Sequence, residues 1–291
     1  MDTRFWGPAG WQLIHHIAQE PHISNKDRTA VADWFRLLPY VLPCKYCRAS
    51  LTDYLKAQPL TSAILAESTA FSRWTYDLHN RVNAKLRGQG LLQTPDPAWS
   101  TIRDRYKSEH ATLCEPRPLL GWNFLISVAY TTPGADYKPS PMPDLPEGTT
   151  TEEQARWCLS ARNRYNLLTR EERLTALAAW WRRVPSILPC PAWRAAWASA
   201  VRSVGAPPLR RGRDAMMRWT WAVESAVCAD LRCPTPHASR EELCEAVGLY
   251  ESGCGAVTSR RTKTCRKLLR GRRQTRRHRR TLVRQRPQTP K

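Results

Sequence analysis

The chain has 291 residues, a length that suggests about two domains. Hydrophobic residues make up 42% of it and 13 residues are Trp, which excludes a wholly disordered chain. The formal net charge is +21, but residues 257–291 contain 15 Lys or Arg and no Asp or Glu, whereas the preceding part contains 31 basic and 25 acidic residues. The basic character therefore belongs to a tail, and we expect residues 251–291 to be a basic, flexible, disordered segment.

The sequence predicts neither a membrane span nor a secretion signal. No apolar run approaches the roughly 18 residues that a span needs. The N-terminus, MDTRFWGPAGW, lacks the basic-then-apolar layout of a signal peptide. Ten cysteines are nevertheless present, a number more usual in oxidising compartments. A cysteine-rich chain outside such compartments is typical of metal or redox chemistry.

Apolar residues recur at helical spacing along most of the chain, and alternating strand patterns are scarce. The third helix predicted follows Pro43, a residue suited to the first turn of a helix. In chain order, the helices predicted in the first part of the chain lie around residues 11–18, 31–38, 46–55, 71–86 and 99–106. Four helices and a short fifth predict an all-α bundle over residues 1–115.

A second helical region, residues 116–250, looks like a copy of the first. The pattern at 34–44 recurs at 180–190, an offset of 146, and the pattern at 73–76 recurs at 218–221, an offset of 145. Repeated anchors in the same order favour an internal duplication, and chance similarity between two Trp-rich helical regions is the alternative. Within the copy, an insertion at residues 131–154 is rich in Pro, Gly and Thr and is predicted to be an exposed loop.

Cys44-Lys45-Tyr46-Cys47 carries the sharpest chemical signal. It begins a predicted helix, where unpaired backbone N–H groups and the helix dipole favour a thiolate. Its two-residue spacer allows a disulfide that exchanges readily. The alternative is half of a zinc site, for which the chain offers no second CxxC, although Cys228, Cys233 and His237 lie close in sequence. The motif favours redox chemistry.

Two further blocks accompany this motif. Trp11 and His15 lie four residues apart on one helical face, and His79-Asn80-Arg81-Val82-Asn83-Ala84-Lys85-Leu86 lies on a later helix. Together with Pro43-Cys44-Lys45-Tyr46-Cys47, they resemble the Erv/ALR family of FAD-linked sulfhydryl (thiol) oxidases. The family pattern is Trp-x-x-x-His, then Pro-Cys-x-x-Cys, then His-Asn-x-Val-Asn-x-x-Leu. The match spans residues 5–106.

The resemblance implies a four-helix bundle with a short fifth helix, holding FAD at its mouth. Cys47 would face the flavin and Cys44 would exchange with incoming thiols. The family often carries a further disulfide at the end of this domain; Cys114 suits one end, but no cysteine lies near residue 97, so we expect the domain to lack this clasp. By analogy the cofactor-binding residues are Trp11, His15, Tyr46, His79, Asn83 and Leu86, with Lys85, Trp99 and Tyr106 closing around the adenine or the phosphates.

The same resemblance implies a mechanism in which a protein thiolate attacks the Cys44–Cys47 disulfide at Cys44. The freed Cys47 passes electrons to the flavin, and dioxygen receives them as H₂O₂. Many family members relay electrons through a second cysteine pair, for which Cys254 and Cys265 are the candidates because they flank the start of the tail. Alternative pairs involve Cys228, Cys233 and Cys244, and static disulfides or free thiols are the simpler interpretation of each pair.

The aligned copy lacks this machinery. Cys44 persists as Cys190, but Cys47 corresponds to Trp193 and His79 to Glu224. The remaining replacements are Asn83 by Cys228, Asn80 by Ser225 and His15 by Ile126. We therefore expect residues 116–250 to be a degenerate, non-catalytic domain. It would either replace the partner of a two-fold homodimer, giving an internal pseudo-dimer, or act as a docking module beside a homodimer.

The basic tail would attract polyanions through counterion release. Nucleic-acid binding, nuclear targeting and a solvated end without a partner are all open, so a basic nucleic-acid-binding protein with a structural zinc site is the rival to a thiol oxidase. Chains of this size and domain order are found in large DNA viruses. The resemblance thus places the protein in the host cytoplasm or a virus factory, or in the virion, supplying disulfides during virion assembly.

Overall fold

A computed structural model describes residues 1–19, 25–115, 117–139 and 145–250. This part of the chain is helical and contains no β-strand, which confirms the all-α prediction. The first half contains α1 (Thr3–Ile17), α2 (Asn25–Val41), α3 (Lys45–Ala57), α4 (Ser62–Ala66), α5 (Ser68–Gly88) and α6 (Trp99–Ala111). The second half contains α7 (Trp122–Tyr130), α8 (Thr151–Arg156), α9 (Leu159–Arg164), α10 (Arg170–Ile187), α11 (Pro191–Val204), α12 (Arg213–Asp230) and α13 (Arg240–Gly248).

The helix boundaries follow local signals in the sequence. At α1, the Asp2 carboxylate accepts a hydrogen bond from the backbone N–H of Arg4 at 2.9 Å, so it caps the first turn. At α10, Thr169 and Glu172 form a reciprocal capping box. The short α4 was not among the predicted helices, because five residues are too few to show a helical period.

Side-chain contacts repeat between the halves at offsets of 145–147 residues, close to those of the sequence repeat. Arg48 donates a hydrogen bond to the carbonyl of Leu42 at 2.8 Å, and Arg194 donates one to the carbonyl of Leu188 at 2.6 Å. Likewise, the indole N–H of Trp74 donates to the Gln58 carbonyl at 3.1 Å and that of Trp219 to the Gly205 carbonyl at 2.7 Å. The helices α2, α3 and α5 thus have counterparts in α10, α11 and α12.

The two halves share one hydrophobic core. Helices α2 and α10 pack along each other, and the fully buried rings of Trp34 and Trp180 stack there with centroids 5.5 Å apart. Helices α1 and α7 also meet, at the two copies of a Gly-Trp pair. A Cβ added at Gly10 would lie 3.4 Å from the Phe124 ring, and one at Gly121, whose φ is +90°, would lie 2.8 Å from Leu13. Gly121 therefore requires glycine, both for its positive φ and for this close approach, whereas Gly10 lies at ordinary contact distance.

The segment between α7 and α10 contacts the first half of the chain. Residues 131–139 and 145–150 form no helix, in line with the predicted loop, but α8 begins inside the proposed insertion. Helix α9 packs against α3. Within the described residues no helix has the length and apolar character needed to cross a bilayer. The tail at 251–291 lies outside them.

Candidate functional site

The Cys44–Cys47 pair lies at the beginning of α3. Pro43 comes before the helix, and Cys44 is its N-cap residue, with an extended backbone at φ −109° and ψ 124°. Cys47 follows in the first turn, so both sulfurs belong to the N-terminal end of one helix. Both residues are partly exposed thiols in this structure. An accessible CxxC at a helix N-terminus suits thiol–disulfide exchange.

The surroundings of Cys44 favour its thiolate. The Cys47 thiol donates a hydrogen bond to it and is the main reason why its pKa falls to about 6, against the opposing effect of burial. The backbone N–H groups of Cys47 and Tyr46 and the positive charge of Arg48 add to the lowering. A thiol with such a pKa is largely ionised at neutral pH, which makes it both a good nucleophile and a good leaving group.

Four rings from three helices form a cluster, which we call the ring cluster: Trp11 and His15 of α1, His79 of α5 and Tyr106 of α6. The rings of Trp11 and His79 stack with centroids 3.9 Å apart and planes 7° apart. His15 stacks on Tyr106 at 4.5 Å, and its Nε2 shares a hydrogen bond of 3.1 Å with Nδ1 of His79. These residues lie at positions 11, 15, 79 and 106 of the sequence, and folding brings all four together.

Both histidines of the ring cluster are neutral at physiological pH. Burial, with the neighbouring His79, His16 and Arg105, lowers the pKa of His15 to about 3. Burial likewise lowers the pKa of His79 to about 4. Neutral imidazoles offer one donor and one acceptor each, together with a flat ring face.

A polar edge continues from the ring cluster along α5. Asn83 donates a hydrogen bond to Asp96 at 2.8 Å. The ammonium group of Lys85 donates to the hydroxyl of Ser50 on α3 at 2.6 Å. Because Ser50 lies three residues after Cys47, this contact places the basic end of α5 one helical turn from the CxxC motif.

Tyr54 provides a second connection between the motif and α5. Burial raises the pKa of its phenol, a hydrogen bond with Ser50 opposes this, and the charges of Arg81 and Cys47 both act on it. Tyr54 is thus within electrostatic reach of a thiol on α3 and a guanidinium on α5. The side of α5 that carries Arg81 and Lys85 therefore approaches α3 beyond the redox motif.

The other three predicted cofactor residues lie around these groups. Tyr46 occupies the first turn of α3, with the ammonium group of Lys45 at 5.3 Å from its ring centroid. Leu86 is half-buried near the end of α5. Trp99 begins α6, and its ring centroid is 5.3 Å from that of Tyr76. The structure reports no contact that tests their proposed roles, which remain predictions.

The chemistry of these side chains fits FAD. Half-buried aromatic faces and neutral imidazoles suit flat heteroaromatic rings, and the Asn83 carboxamide suits their polar edges. Lys85 supplies a cation for phosphate oxygens, and Arg81 supplies another on the exposed side of α5. The contact of Lys85 with Ser50 places the basic end of this set one helical turn from Cys47.

The second half has no equivalent redox pair. Cys190, the counterpart of Cys44, forms a disulfide with Cys114. Trp193, the counterpart of Cys47, is fully buried. The sequence analysis looked for a disulfide partner of Cys114 only within residues 1–115 and predicted none. In the structure the partner of Cys114 lies 76 residues away, in the other half.

Tryptophans fill the second half where the first half has its ring cluster. Trp122, the counterpart of Trp11, stacks on Trp197 at 5.9 Å, and Trp197 lies 6.3 Å from Trp181. All three are buried. Glu224, the counterpart of His79, is also buried, and its carboxylate bonds to His237 at 3.1 Å. These contacts support the interpretation of the second half as a non-catalytic copy.

The candidate shuttle cysteines have separate outcomes. Cys254 and Cys265 lie outside the described residues. Cys228 is a buried thiol whose pKa rises to about 12 through burial and the nearby Cys233 thiol. Cys244 is partly exposed and is not in a disulfide. Among the described residues, Cys228, Cys233 and Cys244 are all thiols outside any disulfide.

Sequence reasoning overlooked three residues near the redox motif. Ser50 and Arg48 follow Cys47 on α3, and Asp96 binds the side chain of Asn83. Arg194 follows Cys190 at the same distance as Arg48 follows Cys44. This repetition was a signal in the sequence that pointed to Arg48. Asp96 lies in a loop without any recognisable pattern.

A zinc site does not appear in the described part of the chain, where no group of three or more His, Cys, Asp or Glu side chains is placed to hold a metal ion. The redox interpretation of the CxxC motif rests on its position at the N-terminus of α3 and on the lowered pKa of Cys44.

Comparison with known proteins agrees with this site. The model of the Erv1 / Alr family matches residues 8–106. A probable FAD-linked sulfhydryl oxidase of Acanthamoeba polyphaga mimivirus is 34% identical over 98 residues, covering 33% of this chain and 68% of the relative. An FAD-linked sulfhydryl oxidase of African swine fever virus is 30% identical over 106 residues, covering 35% of this chain and 80% of the relative. No solved structure matches the chain significantly. The chain therefore belongs to the Erv1 / Alr family.

Proposed function

We propose that the protein is an FAD-dependent sulfhydryl oxidase that forms disulfides in protein thiols and passes the electrons to dioxygen, giving H₂O₂. The observation that carries this proposal is the placement of the Cys44–Cys47 pair one helical turn from a polar edge that continues the ring cluster. Relatives named as FAD-linked sulfhydryl oxidases support the same activity. They give no support to the nucleic-acid-binding alternative.

The thiol chemistry follows from the placement of the two sulfurs. A substrate thiolate attacks the Cys44 sulfur of the Cys44–Cys47 disulfide, a new S–S bond forms, and Cys47 leaves as the thiolate. A second substrate thiolate then attacks the substrate sulfur of the mixed disulfide. The product disulfide leaves, and Cys44 is released as a thiolate. Two substrate thiols have then lost two electrons and two protons, and the Cys44–Cys47 pair has gained them.

Bound FAD would accept the two electrons from the Cys47 side and deliver them to dioxygen. The chain's part is to hold that cofactor: the ring cluster supplies aromatic faces, Asn83 a carboxamide, and Lys85 a positive charge. The neutral state of His15 and His79 avoids placing two buried cations beside the ring system. Cys44 and Cys47 are partly exposed, which suits attack by the thiol of a protein substrate.

The test combines colour with turnover. Purified protein should be yellow, with an absorbance band near about 450 nm from bound flavin. It should consume oxygen when given a dithiol or a reduced protein. Cys47→Ser should keep the flavin but lose turnover by about a thousandfold or more, because the electron path from substrate to flavin is cut. A colourless protein, or a Cys47→Ser variant with oxidase activity, would contradict the proposal.

We also propose that the chain is an internal pseudo-dimer, in which the second half occupies the place of a partner subunit. The buried stack of Trp34 on Trp180, on two corresponding helices, supports this arrangement. A homodimer would need another face. Light scattering during size-exclusion chromatography should give the 33.4 kDa mass of one chain, and twice that mass would favour the homodimer.

For location, we propose the host cytoplasm or a virus factory during virion assembly. The support is the viral origin of the relatives, including those of mimivirus and African swine fever virus. Immunofluorescence of infected cells should show the protein at sites of assembly. Exclusive nuclear staining would contradict the proposal and would favour nuclear targeting by the basic tail.

A further inference from the structure

The segment that joins α8 to α10 brings polar side chains of the second half onto the redox helix α3. The Asn163 carboxamide donates to the Pro39 carbonyl at 2.9 Å and to the Thr52 hydroxyl at 3.2 Å. Arg164 forms an ion pair with Asp53 at 2.9 Å. These contacts fix the segment on the side of α3 that follows the CxxC motif.

Arg48, the residue directly after Cys47, is held by this segment. Its guanidinium is buried, with 6% of the residue exposed. It donates to the Leu42 carbonyl at 2.8 Å and to the side-chain oxygen of Asn166 at 2.7 Å. Asn166 has a φ of +59°, a conformation that Asn tolerates better than most residues. The second half thus supplies, from Asn166, a hydrogen-bond acceptor for the guanidinium of Arg48, the residue that follows Cys47.

The positive charge of Arg48 is not paired with a carboxylate in the described part of the chain. Arg173 of α10 is also buried and acts on Arg48 as a like charge, while the Tyr137 ring centroid lies 5.7 Å from the guanidinium carbon of Arg173. Neither arginine forms an ion pair with a carboxylate in the described part of the chain. Two buried cations are costly without an anion. The backbone N–H of Arg48 donates to the Cys44 carbonyl at 2.9 Å, so the two residues lie one helical turn apart at the start of α3. The Cys44 sulfur, Tyr137 and the Cys47 sulfur all favour the positive charge of Arg48, against the effect of burial.

We propose that the non-catalytic half takes part in the redox chemistry by holding the Arg48 guanidinium, through Asn166, beside the Cys44 sulfur, so that Arg48 is a positioning residue that stabilises the Cys44 thiolate. The inference rests on the proposed oxidase function for its consequence. The groups that face Cys44 are the Cys47 thiol and Arg48 on α3; Arg173 on α10 and Tyr137 on the preceding loop face Arg48 in turn.

The benefit to the reaction lies in its second exchange step. There the S–S bond between Cys44 and the first substrate sulfur breaks while the bond between the two substrate sulfurs forms. Cys44 leaves with the electron pair, so a stabilised thiolate speeds this step. The same thiolate then supplies the electron pair for closing the Cys44–Cys47 bond, with FAD as the two-electron acceptor of the proposed reaction.

The second half contains a matched control for this role. Arg194 makes the same contact with the Leu188 carbonyl that Arg48 makes with Leu42, but the neighbouring Cys190 is tied in a disulfide. If Arg48 only braces the turn before its helix, as this shared contact suggests, removing it should change stability without changing the ionisation of Cys44. The two explanations therefore differ in a measurable pH profile.

The experiment measures the initial rate of Cys44 alkylation by iodoacetamide against pH, in the reduced full-length chain without oxygen. Trypsin cleaves after Lys45, so Cys44 and Cys47 fall in different peptides and mass spectrometry counts them separately. The variants are Arg48→Met, Arg48→Lys, Asn166→Ala and the control Arg194→Met. Circular dichroism establishes that each variant is folded. Because alkylation needs no turnover, its outcome is independent of the oxidase assay and of bound flavin.

In Arg48→Met the midpoint of the alkylation profile should rise by about one pH unit, the effect expected for losing an opposite charge close to a thiolate. Arg48→Lys should restore part of this shift. Asn166→Ala should raise the midpoint less, and Arg194→Met should leave it unchanged. Unchanged midpoints in Arg48→Met and Asn166→Ala would overturn the inference. Should Arg48→Met fail to fold, Asn166→Ala decides the matter alone.

Discussion

The two halves of this chain use one helical scaffold for opposite purposes. At the start of α3 the first half presents two partly exposed thiols, Cys44 and Cys47. At the start of α11 the second half has a disulfide-bonded Cys190 and a buried Trp193. The backbone contacts before the two helices are alike, since each has an arginine bound to a leucine carbonyl. The scaffold therefore does not determine the chemistry.

The ligand pocket shows the same contrast. In the first half, Trp11 and His79 of the ring cluster are half-buried, and both histidines of the cluster are neutral. In the second half, Trp122, Trp181 and Trp197 pack on one another and are buried. Side chains that line a ligand site make fewer contacts within the protein, whereas side chains that fill the same space pack on one another and stabilise the fold. The second half thus contributes stability, whereas the first half retains the reactive groups.

The largest expected effect on stability comes from removing the indole that stands in the second half where the first half has Cys47. Trp193→Ala should lower the free energy of unfolding by about 3–5 kcal/mol, because a fully buried indole leaves a cavity. Flavin content per folded chain should stay the same. Chemical denaturation followed by circular dichroism, with the 450 nm band of about the same height before unfolding, checks both parts. Loss of flavin from folded Trp193→Ala would mean that the second half binds the cofactor.

The disulfide between the halves should give the next largest effect. Replacing both Cys114 and Cys190 by Ser should lower the free energy of unfolding by about 2–4 kcal/mol, because the cross-link restricts the unfolded chain. Turnover with a dithiol should persist, since neither sulfur belongs to the proposed redox pair. The single variant Cys47→Ser is the matched comparison, with turnover lost and stability nearly kept. Turnover lost in the double variant would assign Cys190 a redox role.

Regular spacing in the sequence predicted the all-α fold and the redox motif, and the family resemblance supplied the residues of the ring cluster. Trp11 and His15 share a helical face by their separation of four, and the repeat offset pairs Cys47 with Trp193. The contacts made by the segment between α8 and α10 could not be predicted from the sequence. Asn166 meets Arg48 across 118 residues, and no periodicity links a loop amide to a distant helix. The partner of Cys114 was missed for the same reason.

Acid should affect the two pockets in opposite directions. Burial lowers the pKa values of His15, His16 and His79 to between about 3 and about 4. As the pH falls through 6.5, these histidines therefore become protonated in the unfolded chain but stay neutral in the folded chain. Their contribution to stability is complete above that pH and falls on acidification, by about 1.4 kcal/mol per pH unit for each histidine. Burial raises the pKa of Glu224, which therefore favours the folded state on acidification.

Hydrogen exchange of the two halves between pH 7 and pH 5 measures this difference. Protection in α1 and α5 should fall as the pH drops, whereas protection in α12, which carries Glu224, should fall less. In His79→Ala the loss in α5 should be smaller, because one of the groups that resist protonation is gone. Equal losses in both halves would contradict the assignment of opposite signs.

The smallest expected effects come from the corresponding pair His79 and Glu224. His79→Ala removes one ring of the stack on Trp11, and FAD affinity should fall by roughly tenfold, the equivalent of about 1.4 kcal/mol for a lost aromatic contact. Glu224→Gln keeps the hydrogen bond to His237 and removes a buried charge, so the free energy of unfolding should change by less than about 1 kcal/mol. FAD affinity should not change. Titration of the apoprotein with FAD, followed by flavin fluorescence, compares the two variants directly. A weaker affinity in Glu224→Gln would mean that the pocket of the copy still communicates with the cofactor, because Glu224 lies on α12 and the proposed cofactor residues all lie in the first half.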